Sequence, residues 1–413
     1  MDQKNNKDRE ILRELAKKVA EIASLPVQET KRRLWRSLNA LNDERPMVCI
    51  DQVCWNEMNV DNKLTLFCND PECRKYEEKL RRILYQWEYF PVDMVVEPFI
   101  KVDKAVVNAD FGVKRMEDTL ATAGKEAVVS HKFINQFNTM DDLEKIRKPL
   151  VSHNAEETAR RMEKAAWLFD GVMPLREEGW NPYLSIWDPV VTWMSVEGVL
   201  YGLIDNSEMM YAMAKRMADG YMSMLDQMEE QGLLCHSQDL IHCTGAFSDE
   251  LPAPFFNPQR PRTKDIWMFG LAQIFTTVSP AMFEEYEIDI MAPIFERFGL
   301  VYYGCCDPLD QKMKEVRKIK NLRKISMSPW ANRVRGAEEI GHDYVFSSKP
   351  NPAYLATTKF DEDLVRKDLK EIKNVCKKNN CPLEFILKDL STVNNEPQRL
   401  WKWAEIAMEV ANE

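Results

Sequence analysis

The chain has 413 residues, 45% hydrophobic and 10% aromatic, enough apolar material for one large domain. Its formal net charge of −10 argues against a nucleic-acid partner, because such proteins usually present a basic face. No stretch approaches the roughly eighteen apolar residues of a membrane span, and Met1 to Lys7 lacks the apolar segment of a secretory signal, so the expectations are no membrane and a cytoplasmic location.

Residues 8–41 show helical spacing in Ile11, Leu12, Leu15, Val19, Ile22 and Ala23, broken at Pro26 and resumed from Thr30, which predicts a helical extension over residues 1–45. Beyond it, eight short apolar runs alternate with amphipathic segments: 47–50, 94–97, 184–187, 233–236, 300–304, 324–327, 344–347 and 385–388. Most are near-continuously apolar, as strands buried on both faces should be. Helices are predicted at 71–87, 155–169, 208–231, 279–298, 310–318, 333–340, 362–378 and 397–411. Eight strand-helix alternations predict an α/β fold, a (β/α)8 TIM barrel over residues 46–413. Residues 99–150 are too long for a simple connection and carry apolar runs at 105–107 and 127–129, so they read as a hairpin inserted after the second strand. The Pro- and Phe-rich stretch 243–265 reads as a lid.

Residues just past the strands of a parallel barrel converge on one pocket. This filter gathers Asp51, Glu97, Trp187 and Asp188, then His236, Gln238, Asp239, His242 and Cys243. From the second half it gathers Cys305, Cys306, Asp307, Ser328, Trp330, Lys349, Lys388 and Asp389. Asp51, Glu97 and Asp239 are the candidate general acids, since a carboxyl buried beside tryptophan can hold its proton. Trp187, Tyr303, Trp330 and Lys349 are the candidate substrate contacts. The ten cysteines, spread over a large chain, read as reduced thiols or metal ligands. Cys68 and Cys73 have no second ligand pair nearby, and a helix entry capped by Asp70 before Pro71 is the better reading. The methionines from Met209 to Met228 are spaced as helix core, and the lysines from Lys312 to Lys324 read as a solvated outer face.

Four strings carry a resemblance: Tyr303-Gly304-Cys305-Cys306-Asp307-Pro308-Leu309, the run from Asn321 to Trp330, Ser348-Lys349-Pro350-Asn351-Pro352, and the run from Ile386 to Val393. Together they resemble the uroporphyrinogen decarboxylase-like superfamily, from about Arg45 to the C-terminus. The resemblance implies a (β/α)8 barrel and either a porphyrinogen decarboxylase or a zinc-dependent methyltransferase serving a corrinoid protein. The decarboxylase branch uses an arginine-bearing loop after the first strand, whereas Asp51 to Asn56 holds no arginine. The methyltransferase branch has a His-x-Cys zinc pattern; Tyr303-Gly304-Cys305 stands in its place, and only Cys305 carries over. A zinc set of His242, Cys305 and one of Cys306 or Asp239 is therefore expected. Asp-x-His-x-x-Gly, a common cobalamin-binding pattern, does not occur, so the corrinoid is expected on a partner protein. The expected activity is demethylation of a small ether, amine or thioether. The alternatives are a lyase acting on a tetrapyrrole or other small acid, and a barrel that binds a corrinoid or tetrapyrrole without turning it over. A homodimer is left open.

Overall fold

A computed structural model describes residues 3–121, 129–235 and 238–413. The N-terminal periodicity becomes two helices, α1 (Gln3–Ala23) and α2 (Pro26–Asn39), with Pro26 in the first turn of α2, where its missing N–H costs nothing. Leu12, Leu15, Ala16 and Val19 of α1 are buried in a cluster with Cys73 and Leu80 of α3 (Pro71–Tyr89) and with Ala165 and Leu168 of α4 (Ala155–Phe169). At the start of α3, the Asp70 carboxylate accepts from the backbone N–H groups of Glu72 and Cys73, so the Cys68–Cys73 spacing is a capped helix entry.

Among the described residues, seven strands form one parallel sheet: β1 (Met47–Ile50), β2 (Tyr183–Leu184), β3 (Trp267–Gly270), β4 (Leu300–Tyr303), β5 (Leu322–Met327), β6 (Val345–Ser348) and β7 (Leu383–Leu387). Their order across the sheet is β1-β7-β6-β5-β4-β3-β2. Side chains alternate between two cores. Met47, Cys49, Trp267, Phe269, Leu300, Tyr302 and Ile386 share one with Trp35 of α2. Val48, Met268, Val301, Tyr303, Ile325 and Phe385 face the other, beneath the helices. Burial on both faces explains why most of these strands read as unbroken apolar runs.

Two expected runs lie outside this sheet. Residues 94–97 form no ladder, although Asp93 binds the segment to β1: its N–H donates to Val48 O at 3.0 Å and its carboxylate accepts from Val48 N at 2.8 Å. Nearby, Ile100–Asp103 pairs in parallel with Leu175–Glu178. In the run 233–236, Leu234 makes one isolated bridge to Trp180, and His236 lies outside the described residues. The run 184–187 contributes only its first residue to β2, and Trp187 opens the helix α5 (Trp187–Asp205). The strand missing from the sequence reading is β3, in the middle of the chain.

The insertion holds an antiparallel hairpin, Glu117–Ala121 with Val129–Phe133. Val106–Val107 pairs with Ser152–His153 instead, and Ala127 lies outside the described residues. Within the expected lid, residues 247–251 are not over the C-terminal ends of the strands, where a lid would sit. Arg323 in β5 pairs with Glu250, the Asn39 amide donates to Phe247 O at 2.7 Å, and Leu251 packs against Gly299 at the start of β4, all at the N-terminal end of the sheet. The methionines at 209, 210, 213, 217, 224 and 228 are buried core on α6 (Ser207–Glu230), as expected. Lys312 and Lys324 are buried, which corrects the solvated-face reading for those two. No helix among the described residues is long and apolar enough to cross a membrane.

Candidate functional site

Because the seven strands are parallel, their C-terminal ends share one edge, and the chemistry collects there. Gly304 turns the chain out of β4 at φ +89°, and a Cβ at that position would lie 2.5 Å from Leu309 Cδ1, so glycine is required. The turn delivers Cys305, buried, and Cys306, exposed, with their sulfurs 3.5 Å apart. Cys305 is fixed further by Ser326 Oγ, which donates to its carbonyl at 2.7 Å, and by its own N–H, which donates to the Asp307 carboxylate at 3.1 Å.

Two further elements reach this pair. Lys388, just past β7, points its ammonium at Cys305 Sγ, 2.7 Å away, and stands 3.4 Å from His242 Nε2. β4 and β7 are separated by two strands, so a flat sheet would hold them about 14 Å apart. The contact therefore requires a strongly curled sheet. His242 sits at the tip of the short hairpin Leu240–Ile241 and Thr244–Gly245, 3.7 Å from Cys305 Sγ. Its φ is +53° while Cys243 stays at negative φ, the pattern of a type II′ turn whose first central position favours glycine. A non-glycine residue held there is strained, and such strain concentrates at functional sites. The ring is stacked on Phe269, with centroids 4.1 Å apart.

The electrostatics follow from these contacts. The Cys306 hydrogen bond, aided by His242 and by the charge of Lys388, brings the Cys305 thiol down to about 3 against the opposing effect of burial. Cys306, which donates that bond, is pushed well up. Burial works against the charge on His242, yet its contacts with Cys243 and Cys305 raise it to about 9. Lys388 is likewise raised, its burial outweighed by the Cys305 charge. The cluster holds an ionised thiolate among cations.

The three carboxylates expected as acids line one cavity of about 560 Å³ beside β1, α3 and the segment from Met94 to Lys101. Asp239 is paired with Lys101, and Glu97 with Arg32. Among the described residues Asp51 has no ion-pair partner; burial raises its pKa, opposed by its hydrogen bond from Gln52 and by the charges of His242 and Lys388. Trp187 and Tyr303 do not join this cavity. Trp187 is fully buried against Phe275, and Tyr303 faces the helix layer, where its hydroxyl donates to Glu287 at 3.1 Å. Trp330 is 73% exposed, and Lys349 is buried, donating to Ser347 Oγ at 2.9 Å and to the Tyr302 hydroxyl. Lys388, gathered among the strand-end residues but assigned no role, is the group in contact with Cys305. Its place past a strand was visible; its reach to Cys305 was not.

The donor chemistry suits zinc, which takes thiolate and imidazole at about 2.0–2.3 Å, so that two ligands of a tetrahedral ion lie about 3.5–3.8 Å apart. The 3.7 Å from Cys305 to His242 and the 3.5 Å from Cys305 to Cys306 fall there. The Lys388 ammonium bridges two of the would-be ligands, and among the described residues no three His, Cys, Asp or Glu side chains are gathered as a formed metal site.

A curled parallel sheet with a thiolate cluster at its C-terminal edge defines an α/β protein of the kind that keeps its chemistry at one end of the strands. A solved structure of this fold is a methyltransferase from Methanosarcina mazei, similar with a TM-score of 0.51 over 92% of this chain and 97% of that one, at 10% sequence identity. That likeness shows the fold and agrees with the resemblance read from the motifs. No protein-family model matches the chain, and no curated protein matches it in sequence.

Proposed function

We propose that the chain is a methyltransferase that takes a methyl group from a small ether, amine or thioether and passes it to a corrinoid carried by a separate protein. The observation that supports this reading is the Cys305 sulfur, held beside His242, Cys306 and Lys388 at the strand ends of a fold that a methyltransferase shares. The curled sheet is read as a barrel whose remaining position is filled by the segment from Asp93, hydrogen-bonded to β1, onward to Asp103. All ten cysteines are free thiols, which suits a cytoplasmic protein.

His242, Cys305 and Cys306 would hold zinc, with Lys388 turning to Asp389, whose carboxylate is 3.3 Å away. Bound there, the metal would supply Lewis acidity to the substrate heteroatom. The chain's own residues do the rest. Burial of Asp51 disposes its carboxyl to keep a proton for the departing oxygen, nitrogen or sulfur. Phe269 and Tyr183 hold the imidazole plane.

The test is to mix the protein and its Cys305→Ala variant with reduced free corrinoid and a panel of methylated phenols, amines and thioethers. Corrinoid absorbance and zinc per chain are then followed. About one zinc per chain and a donor-dependent spectral change are expected, both lost in the variant. Metal content and methyl transfer that survive Cys305→Ala would sink the assignment.

A further inference from the structure

The 560 Å³ cavity falls in the size range of small-molecule sites, and its ionisable wall can be sorted by partner. Glu97 is taken by Arg32, Asp239 by Lys101, Asp93 by Arg45, and Glu78 by Arg82. Once these pairs are set aside, three charged groups remain: Asp51 at the β1 end, and Lys75 and Lys79 on α3. Among the described residues neither lysine has a hydrogen-bond or ion-pair partner, and both are exposed to the solvent of the cavity.

The two lysines are four residues apart on one helix, so they lie side by side on the same face and repel each other. The surroundings add to that cost. Burial and the neighbouring charge of Lys101 push the Lys79 pKa down, with Asp103 and Asp239 opposing. Asp103 and Asp239 act on Lys79 only through space, and among the described residues no carboxylate contacts either ammonium group. An anion placed between the ammonium groups would relieve the repulsion and give each a direct partner. Beyond them the wall turns apolar, with Trp55, Ile83 and Met94. Arg82 is already occupied, lying over the Trp55 ring 5.1 Å from its centroid and pairing with Glu78. Asp51 is also on the wall, and its carboxyl feels the charges of His242 and Lys388.

We infer that this cavity binds a small organic acid, its carboxylate held between Lys75 and Lys79 and its apolar body lying against Trp55 toward Asp51. This names the substrate class for the proposed methyl-transfer site and rests on that reading for its purpose. The binding itself is measured without any methyl transfer, so the two can fail separately.

Benzoate and its neutral counterpart benzamide serve as probes, titrated into the full-length protein by calorimetry with Trp fluorescence as a second signal. Benzoate is expected to bind at least about tenfold more tightly than benzamide, the worth of one charge-assisted hydrogen bond, and more weakly as salt is raised. Lys75→Gln combined with Lys79→Gln should remove that preference while leaving benzamide binding unchanged. Lys75→Arg with Lys79→Arg, which keeps both charges, should retain it. Equal binding of the two probes, no binding of either, or benzoate affinity that survives the glutamine pair would overturn the inference.

Discussion

Glu287 is the buried acid whose behaviour the structure makes most definite. It sits on the helical segment behind β4, accepts from the Tyr303 hydroxyl with one oxygen, and leaves its second oxygen without a partner. Burial raises its pKa from 4.5 to about 8; the Tyr303 hydrogen bond opposes this, and the charges of Asp307 and Asp188 add to it. The fold therefore prefers the protonated form. Its contribution to stability is complete below pH 4.5, where the unfolded chain is protonated too, erodes as the pH rises, and is gone above about pH 8. Between pH 5.5 and 8.5 the loss is on the order of 3 kcal/mol. Glu287→Gln keeps an acceptor for Tyr303 and cannot ionise. Chemical denaturation followed by Trp fluorescence at the two pH values should show the variant gaining about that much on the native chain as the pH rises. A stability difference that is the same at both values would refute the argument, whatever its size.

Lys324 and Glu384 form a fully buried ion pair at 2.8 Å, with Thr244 bonded to both. Lys324→Met leaves the carboxylate with the Thr244 hydrogen bond and the more distant Lys349 charge but no ion-pair partner in contact, and is expected to cost about 3 kcal/mol in denaturation, with much of it regained in the double variant Lys324→Met and Glu384→Leu. A double variant as unstable as the single would count against an uncompensated charge as the cause. His242→Gly suits the type II′ turn better than His242→Ala, by roughly 1–2 kcal/mol, and should melt higher than the alanine variant. On the proposed zinc site, both variants should bind less metal than the native chain and to the same extent, which separates the chemistry of the ring from the strain of its backbone.

The parallel strands from β4 to β7 were legible because each is largely buried and carries a short apolar run, interrupted in β5 by Arg323 and Lys324 and in β7 by Glu384. β3 was hidden, since Trp267-Met268-Phe269-Gly270 follows a long irregular stretch and is only four residues long. Two site errors have simple geometric causes. Strand side chains alternate, so Tyr302 faces the inner core while Tyr303 must face the helices. Trp187 was read with strand periodicity, but it opens a helix and points where the helix packs. The lid reading failed because composition marks a loop without saying which end of the sheet it covers. Long-range ion pairs such as Arg323 with Glu250 decide that.

The inner face of the sheet carries a column of lysines that no local pattern announces. Lys324 lies at its base with Glu384, Lys349 at mid-height with Tyr302 and Ser347, and Lys388 at the edge with Cys305. Each is buried, and each is tolerated because an oxygen or sulfur meets its ammonium. The lower two both act on the charge of Glu384, so that carboxylate answers cations from two strands. At the edge the partner is a thiol, and the Cys306 hydrogen bond, then His242 and the Lys388 charge, favour its ionised form. The Lys388 share of that stabilisation is a consequence of how the sheet curls. Lys388 reaches Cys305 across two strands, and it does so only because the curl brings their ends together.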